Sequence, residues 1–79
     1  MLPTGVKLCI ERELAANKFK IEVKKHGLFC GFLTGYLNVR SGVMKCYPKR
    51  LAPGTFRESE LPIEVRYDDV PWVRQRHAQ

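Results

Sequence analysis

The strongest structural signal of this chain lies in residues 28–47, LFCGFLTGYLNVRSGVMKCY. Two runs rich in β-branched, aromatic and other apolar residues flank Ser41-Gly42, a pair typical of a tight hairpin turn. The stretch therefore predicts a β-hairpin in which a long strand, residues 28–40, turns back into a shorter strand, residues 43–47.

The turn also predicts which residues of this hairpin face each other. We expect Val39 opposite Met44 and Leu37 opposite Cys46, so that these four side chains form one apolar, inward face. The outward face is aromatic, polar and basic, and it carries Tyr36, Asn38, Arg40, Lys45 and Tyr47. Tyr36 is thus expected beside Tyr47, among positive charges.

Three further segments alternate apolar and polar residues with the two-residue period of a half-buried strand. They are residues 6–14, 19–25 and 63–67. Residues 11–18, ERELAANK, are also good helix formers, so a short helix there stays open beside a strand that ends in a loop near Asn17. Gly31 and Gly35 lie inside the long strand, where glycines mark a bulge or the close approach of another backbone.

Residues 48–61 are predicted to be irregular. Pro48 is expected to stop the fourth strand, Pro53-Gly54 is a turn signal, and residues 57–60 suit a single helical turn. After the fifth strand we expect Trp72 to dock on the core, and the polar residues from about 74 to form a frayed tail.

Seventy-nine residues are expected to form one small β-rich domain, residues 1–79. The predicted fold class is mainly β, as a small five-stranded antiparallel sheet or a partly open barrel of SH3-like or OB-like arrangement. A helix at 11–18 or 56–61 would make it α+β with one short helix. Because a chain this short buries only about 60% of its unfolded surface, it has little room for a deep catalytic pocket.

The chain is basic, with a formal net charge of +6 at pH 7 and a pI near 9.6. Residues 1–47 hold eight Lys and Arg against three Asp and Glu, whereas residues 48–79 hold six against five. This asymmetry favours an anionic partner. No apolar run approaches the ~20 residues of a membrane span, and the N-terminal residues lack the order of a signal peptide, so we expect a cytoplasmic protein that does not bind membranes.

The residue types that carry catalysis or metal binding are sparse. The three cysteines, Cys9, Cys30 and Cys46, are too widely spaced to form a CxxC motif. This spacing favours buried, reduced thiols over a zinc site. The histidines, His26 and His77, fall in a turn and in the tail. Glu64, Asp68 and Asp69 are typical of solvated turn residues. We therefore expect no enzyme activity, no metal and no cofactor.

The basic and aromatic residues instead predict a binding surface. Phosphate contacts need spaced cations, and single strands add aromatic rings on which bases stack. The candidate site residues are Lys18, Lys20, Lys24, Tyr36, Arg40, Lys45, Tyr47, Lys49 and Arg50, with Phe32 as a further stacking candidate. They predict a non-enzymatic module that contacts nucleic acid or a nucleoprotein through a basic, aromatic hairpin face.

An alternative function uses apolar rather than charged contacts. Small basic proteins of phages and mobile elements include inhibitors that cover a site on a host protein complex, such as a defence nucleoprotein. The candidate anchors are Leu28, Phe32, Phe56 and Trp72. An acidic protein surface is the alternative partner for the positive charge, and an unpaired edge strand would also permit a homodimer.

Overall fold

The computed structural model describes residues 2–74 and shows a mainly β architecture. Its strands are β1 (Val6–Ala15), β2 (Lys18–Lys25), β3 (Leu28–Asn38), β4 (Val43–Leu51) and β5 (Ile63–Arg66). Two 3₁₀ turns, Glu58–Glu60 and Tyr67–Asp69, complete the regular structure of these residues. The strands follow one another as an antiparallel sheet of order β1-β2-β3-β4-β5, which curls into a half-barrel. The predicted fold class is confirmed.

The first two hairpins have two-residue turns, and each turn holds at least one residue with positive φ. Asn17 has φ of 59° in the β1–β2 turn, and its N–H donates to the Glu13 carboxylate at 3.2 Å. His26 and Gly27 both have positive φ, 52° and 81°, as a type I′ turn between β2 and β3 requires. Residues 11–15 continue β1, so this segment forms a strand and not the alternative short helix.

The hairpin of β3 and β4 differs from the prediction by two residues. Leu37 faces Met44 and Asn38 faces Val43, so residues 39–42 form a four-residue loop. The reason is Asn38, whose side-chain oxygen accepts the N–H groups of residues 40 and 41 at 2.9 and 3.2 Å. The predicted pairings of Val39 with Met44 and of Leu37 with Cys46 are therefore wrong, and Tyr36 lies opposite Lys45 and not Tyr47. The inward placement of Val39 is wrong as well, because Val39 is 68% exposed in the loop. A shift of two residues leaves the faces of the flanking strands unchanged.

The strand β4 continues through Pro48 to Leu51, so the prediction that Pro48 ends it is wrong. Leu33 faces Pro48 and Phe32 faces Arg50, which makes Lys49 an extra, bulged residue. The strand β5 pairs with β4 only along Val43–Cys46, so Pro48 lies in the part of β4 that has no partner strand on this side. A proline is tolerated at a bulge on such an edge, because no ladder partner needs its missing N–H.

Gly31 confirms the expectation that a glycine inside β3 marks a bulge and a close approach of backbones. Cys30 is the extra residue between the pairs formed by Phe29 and Gly31 with β2. Gly31 has φ of +123°, and a Cβ built on it would overlap the carbonyl oxygen of Arg50. Only glycine allows β3 and β4 to approach this closely.

The core fills the concave, inner face of the half-barrel. The strand β2 contributes Phe19, Ile21 and Val23, all buried as its alternation predicts. The other buried apolar residues are Val6, Leu8, Ile10, Leu33, Met44, Cys46, Ile63 and Val70.

The segment after the second 3₁₀ turn ties the end of the fold back to β1. Ile10 donates its N–H to the Pro71 carbonyl at 2.7 Å and accepts the Val73 N–H at 2.8 Å, which forms a short parallel bridge. Trp72 packs edge-on against Phe19, with ring centroids 5.9 Å apart, but its side chain stays half exposed. Trp72 thus caps the rim of the core. The predicted frayed tail falls mainly on residues 75–79, which lie outside the described residues. Within residues 2–74 no helix is long and apolar enough to cross a membrane.

Candidate functional site

A groove of about 810 Å³ lies on the sheet face opposite the core, across strands β1 to β4. Its lining comprises Arg12, Leu14, Lys18, Lys20, Thr34, Tyr36, Lys45, Tyr47, Pro48 and Lys49. Five of these residues are cationic, and no carboxylate is among them. The groove therefore concentrates positive potential, because like charges around a concave surface reinforce one another.

Strand pairing arranges most of the groove into two rows that run across the sheet. Residues directly opposite each other on antiparallel strands share a face and lie within contact distance. The first row is Lys18, Tyr36 and Lys45, and it continues to Glu64 on β5; the second row is Arg12, Lys20, Thr34 and Tyr47. The first row places Tyr36 between two lysines, and the second row places Tyr47 at its end, with Thr34 between the ring and the two cations.

The two tyrosines form an edge-to-face pair in the groove. The ring centroids of Tyr36 and Tyr47 are 5.8 Å apart, at an interplanar angle of 74°. Such a pair contributes about 0.5–1.5 kcal/mol, so it holds the rings in defined orientations. Tyr36 is 46% exposed and Tyr47 41% exposed, and the Lys18 ammonium lies 5.7 Å from the Tyr36 centroid. The rings are therefore both oriented and open to a ligand.

Arg12 is a groove residue that the sequence interpretation missed. The alternation of Val6, Leu8 and Ile10 would direct residue 12 inward, but the pairing of β1 with β2 shifts between Ile10 and Arg12. Glu11 is the extra residue, and a single bulged residue turns the following side chains to the other face. The signal for this bulge in the sequence is that the charged Arg12 stands where the alternation calls for another apolar, inward residue.

The nine candidate site residues lie in three places. Those that line the groove are Lys18, Lys20, Tyr36, Lys45, Tyr47 and Lys49. Lys24 and Arg50 lie on the same face of the sheet but outside the groove, opposite Phe29 and Phe32 respectively. Arg40 lies in the exposed loop 39–42. Leu14, Thr34 and Pro48 join Arg12 as lining residues that the sequence interpretation did not select.

The apolar anchors of the alternative function lie in different parts of the fold. Phe56 packs against the core, Trp72 contacts Phe19, and Leu28 lies at the β2–β3 turn. Phe32 alone among the four lies on the face that carries the groove. The residues therefore do not form the contiguous patch that an apolar docking site needs.

A second cavity, of about 510 Å³, lies between the edge strands β1 and β5. Its charged lining residues are two cations, Lys7 and Arg66, and two anions, Glu64 and Asp69. Because these charges balance and no aromatic residue lines the cavity, it lacks the features that suit a nucleic acid.

The described residues hold little that suits covalent or metal chemistry. Residues 2–74 contain no group of three or more His, Cys, Asp or Glu side chains placed to hold a metal ion. All three cysteines are free thiols, with Cys9 and Cys30 partly exposed. Burial raises the pKa of Cys46 from 9.0 to about 11, which keeps this thiol protonated and unreactive at neutral pH.

Comparisons with protein-family models, with curated proteins and with solved structures found no match for this chain. The chemistry of the groove is therefore the basis for assigning a function.

Proposed function

We propose that this protein is a non-enzymatic module that binds nucleic acid, free or within a nucleoprotein, in the groove of its outer sheet face. The observation that carries the proposal is the combination of five cations and two exposed tyrosines in one groove without a carboxylate. Phosphate oxygens pair with Lys and Arg side chains, and bases stack on aromatic rings.

Binding would proceed in two stages that use different parts of the molecule. The net charge of +6 attracts a polyanion and so speeds the encounter. The range of this attraction shortens as the salt concentration rises. In the groove, Lys18, Lys45 and their neighbours neutralise phosphates while Tyr36 and Tyr47 contact bases. Five neutralised phosphates correspond to a slope of log K against log salt of about −3 to −4 for a single strand.

The free thiols support the proposal that the module works in the cytoplasm. Cytosolic proteins keep their cysteines reduced, and all three cysteines of this chain are unpaired.

Exposed apolar residues favour a second candidate function, that of a small inhibitor which docks on a host protein complex. Leu28 is 71% exposed and Phe29 57% exposed, on opposite faces of the sheet at the β2–β3 turn. Large exposed side chains of this kind often anchor protein interfaces. Under this candidate function, the basic groove would contact an acidic protein surface or bound RNA.

The test titrates the protein with labelled single- and double-stranded oligonucleotides of about 12 nucleotides at ~50 and ~200 mM salt. We expect micromolar binding that weakens with the slope given above. The Tyr36→Ala, Tyr47→Ala double variant should lose at least tenfold, since base stacking contributes about 1–3 kcal/mol per base. The charge-matched pair Lys45→Gln, in the groove, and Arg40→Gln, in the exposed loop, is the control.

The outcomes separate the candidate functions. Absence of binding at ~50 mM salt, where electrostatic attraction is strongest, would refute the nucleic-acid proposal and favour a protein partner. Unchanged affinity of a folded double tyrosine variant would show that the two rings only stabilise the sheet. Equal losses for Lys45→Gln and Arg40→Gln would mean that charge acts without regard to position, which contradicts a defined groove.

A further inference from the structure

The pattern of the groove continues along the same sheet face beyond its lining. Two more rows follow along β3: a third row with Phe32 between Glu22 and Arg50, and a fourth row with Phe29 opposite Lys24. Across β1 the fourth row also reaches Lys7. The outer face of the sheet thus carries four successive rows.

Each of the four rows holds one aromatic ring and at least one cation. The rings are Tyr36, Tyr47, Phe32 and Phe29, from the first row to the fourth. The cations are Lys18 and Lys45 in the first row, Arg12 and Lys20 in the second, Arg50 in the third, and Lys7 and Lys24 in the fourth. A ring beside a cation is the unit that a nucleotide needs, with one group for its base and one for its phosphate.

Contacts between side chains join the groove to the two added rows. The Lys20 ammonium, which lines the groove, lies 4.1 Å above the Phe32 ring centroid in the third row. Phe32 in turn meets Phe29 edge to face, with centroids 5.3 Å apart at 68°. The aromatic stripe is therefore continuous with the groove, and Phe29 at its end is more exposed than either tyrosine.

The spacing of the rows distinguishes a single strand from a duplex. On β3 the bulge at Cys30 puts Phe32 and Phe29 three residues apart, whereas along β2 the rows are two residues apart, about 6.8 Å. This distance is about twice the ~3.4 Å rise per nucleotide of one strand in a duplex. Bases at neighbouring rows are too far apart to stack on each other as in a duplex, and each stacks on a protein ring instead.

We infer that the ligand is a single-stranded nucleic acid that runs along β3 and places about four nucleotides on the four rows, from Tyr36 to Phe29. This inference rests on the proposed function and extends its surface to Lys24 and Arg50, two of the three candidates that lie outside the groove. Two carboxylates lie in these rows, Glu22 in the third row and Glu64 opposite Lys45 at the end of the first row, and each opposes a phosphate beside it.

The test measures affinity for oligothymidylates of two, four, six and eight nucleotides, and for a duplex of eight base pairs, at ~50 mM salt. We expect affinity to rise steeply up to about four nucleotides and little beyond, and the duplex to bind at least tenfold more weakly. The variants Phe29→Leu and Phe32→Leu keep an apolar side chain but remove the ring. Each should lose about tenfold on the hexanucleotide and leave the dinucleotide unchanged.

Leu28→Ala is the matched control, because Leu28 is exposed beside Phe29 but directed to the opposite face of the strand. It should leave every affinity unchanged, whereas Glu22→Gln should strengthen binding of the hexanucleotide about two- to threefold. Circular dichroism melts of each variant establish that the fold is intact.

The failures of the inference and of the proposed function are distinguishable. If no oligonucleotide binds, both are overturned. If the double tyrosine variant loses binding while Phe29→Leu and Phe32→Leu do not, the groove stands and the four-row site is overturned. A duplex that binds as tightly as the single strand would overturn the inference alone.

Discussion

Replacement of Gly31 by alanine tests how far the close approach of β3 and β4 determines the fold. Gly31 has φ of +123°, a conformation that L residues avoid at a cost of about 1–3 kcal/mol. The added Cβ would also overlap the Arg50 carbonyl oxygen and lie 3.0 Å from the Leu51 Cα. Both neighbours are backbone atoms, so no side-chain rotation relieves the overlap.

The size of the effect follows from these two contributions. Separation of the strands would strain the hydrogen bond from the Ala52 N–H to the Cys30 carbonyl, which is 2.8 Å long and worth about 0.5–1.5 kcal/mol. We expect Gly31→Ala to reduce the free energy of unfolding by about 1.5–4.5 kcal/mol. At roughly 4–8 °C per kcal/mol for a domain of this size, the Tm should fall by at least about 6 °C or the chain should not fold.

Gly27→Ala is the control that isolates the backbone conformation. Gly27 also has a positive φ, +81°, but a Cβ there meets no atom within 4 Å. This variant should lose only about 1–2 kcal/mol. Thermal and urea unfolding of both variants, followed by circular dichroism, gives the comparison. Equal losses for the two glycines would refute the reasoning, because the overlap with Arg50 would then contribute nothing.

Three further predictions concern a buried thiol, the groove and the chain closure. Because burial raises the pKa of Cys46 to about 11, the unfolded chain releases this proton at lower pH than the folded protein, and stability should fall as pH rises from about 9 towards 11. Urea unfolding of the wild type and of Cys46→Val across this range measures the effect, and an equally steep fall in the variant would contradict the assignment. Arg12→Gln should lower the salt slope of oligonucleotide binding by about 0.7–0.9, whereas Arg40→Gln should not change it; identical slopes would place Arg12 outside the site. Trp72→Ala should lower the free energy of unfolding by about 0.5–1.5 kcal/mol through loss of the contact with Phe19, measured by urea unfolding, and a loss below ~0.3 kcal/mol would show that the ring does not support the closure.

Local patterns predicted the strands well where one face of a strand is uniformly buried. The alternation of Phe19, Ile21 and Val23 fits an uninterrupted strand, and all three are buried. Alternation failed at Glu11, since a bulge depends on the pairing with β2 and leaves only a weak trace in the strand itself. The same limit explains why the prediction that Pro48 ends β4 is wrong, because a proline is tolerated there only as a result of where β5 stops pairing with β4.

The candidate site was predicted in composition more than in position. Tyr36, Lys45 and Tyr47 share a face in the structure, as the sequence predicts. The predicted register is wrong by two residues, and a shift of two residues leaves every side chain on the same face. The error itself came from Asn38, whose side-chain hydrogen bonds select a longer loop than Ser41-Gly42 alone indicates. Arg12 lies in the groove because the bulge at Glu11 turns it to the outer face. Its position therefore cannot be predicted without knowledge of the strand pairing.

The bridge between Ile10 and residues 71–73 has a kinetic consequence for a chain leaving the ribosome. The meander from β1 to β5 pairs neighbours in sequence, so each hairpin can form as soon as its two strands have emerged. The bridge joins distant parts of the chain, so it can form only after Val73 has emerged from the ribosome. Until then the rim of the core near Phe19 lacks its Trp72 cover. During this interval the nascent sheet has an open edge at Ile10, which is the period when chaperones or premature strand pairing have access to it.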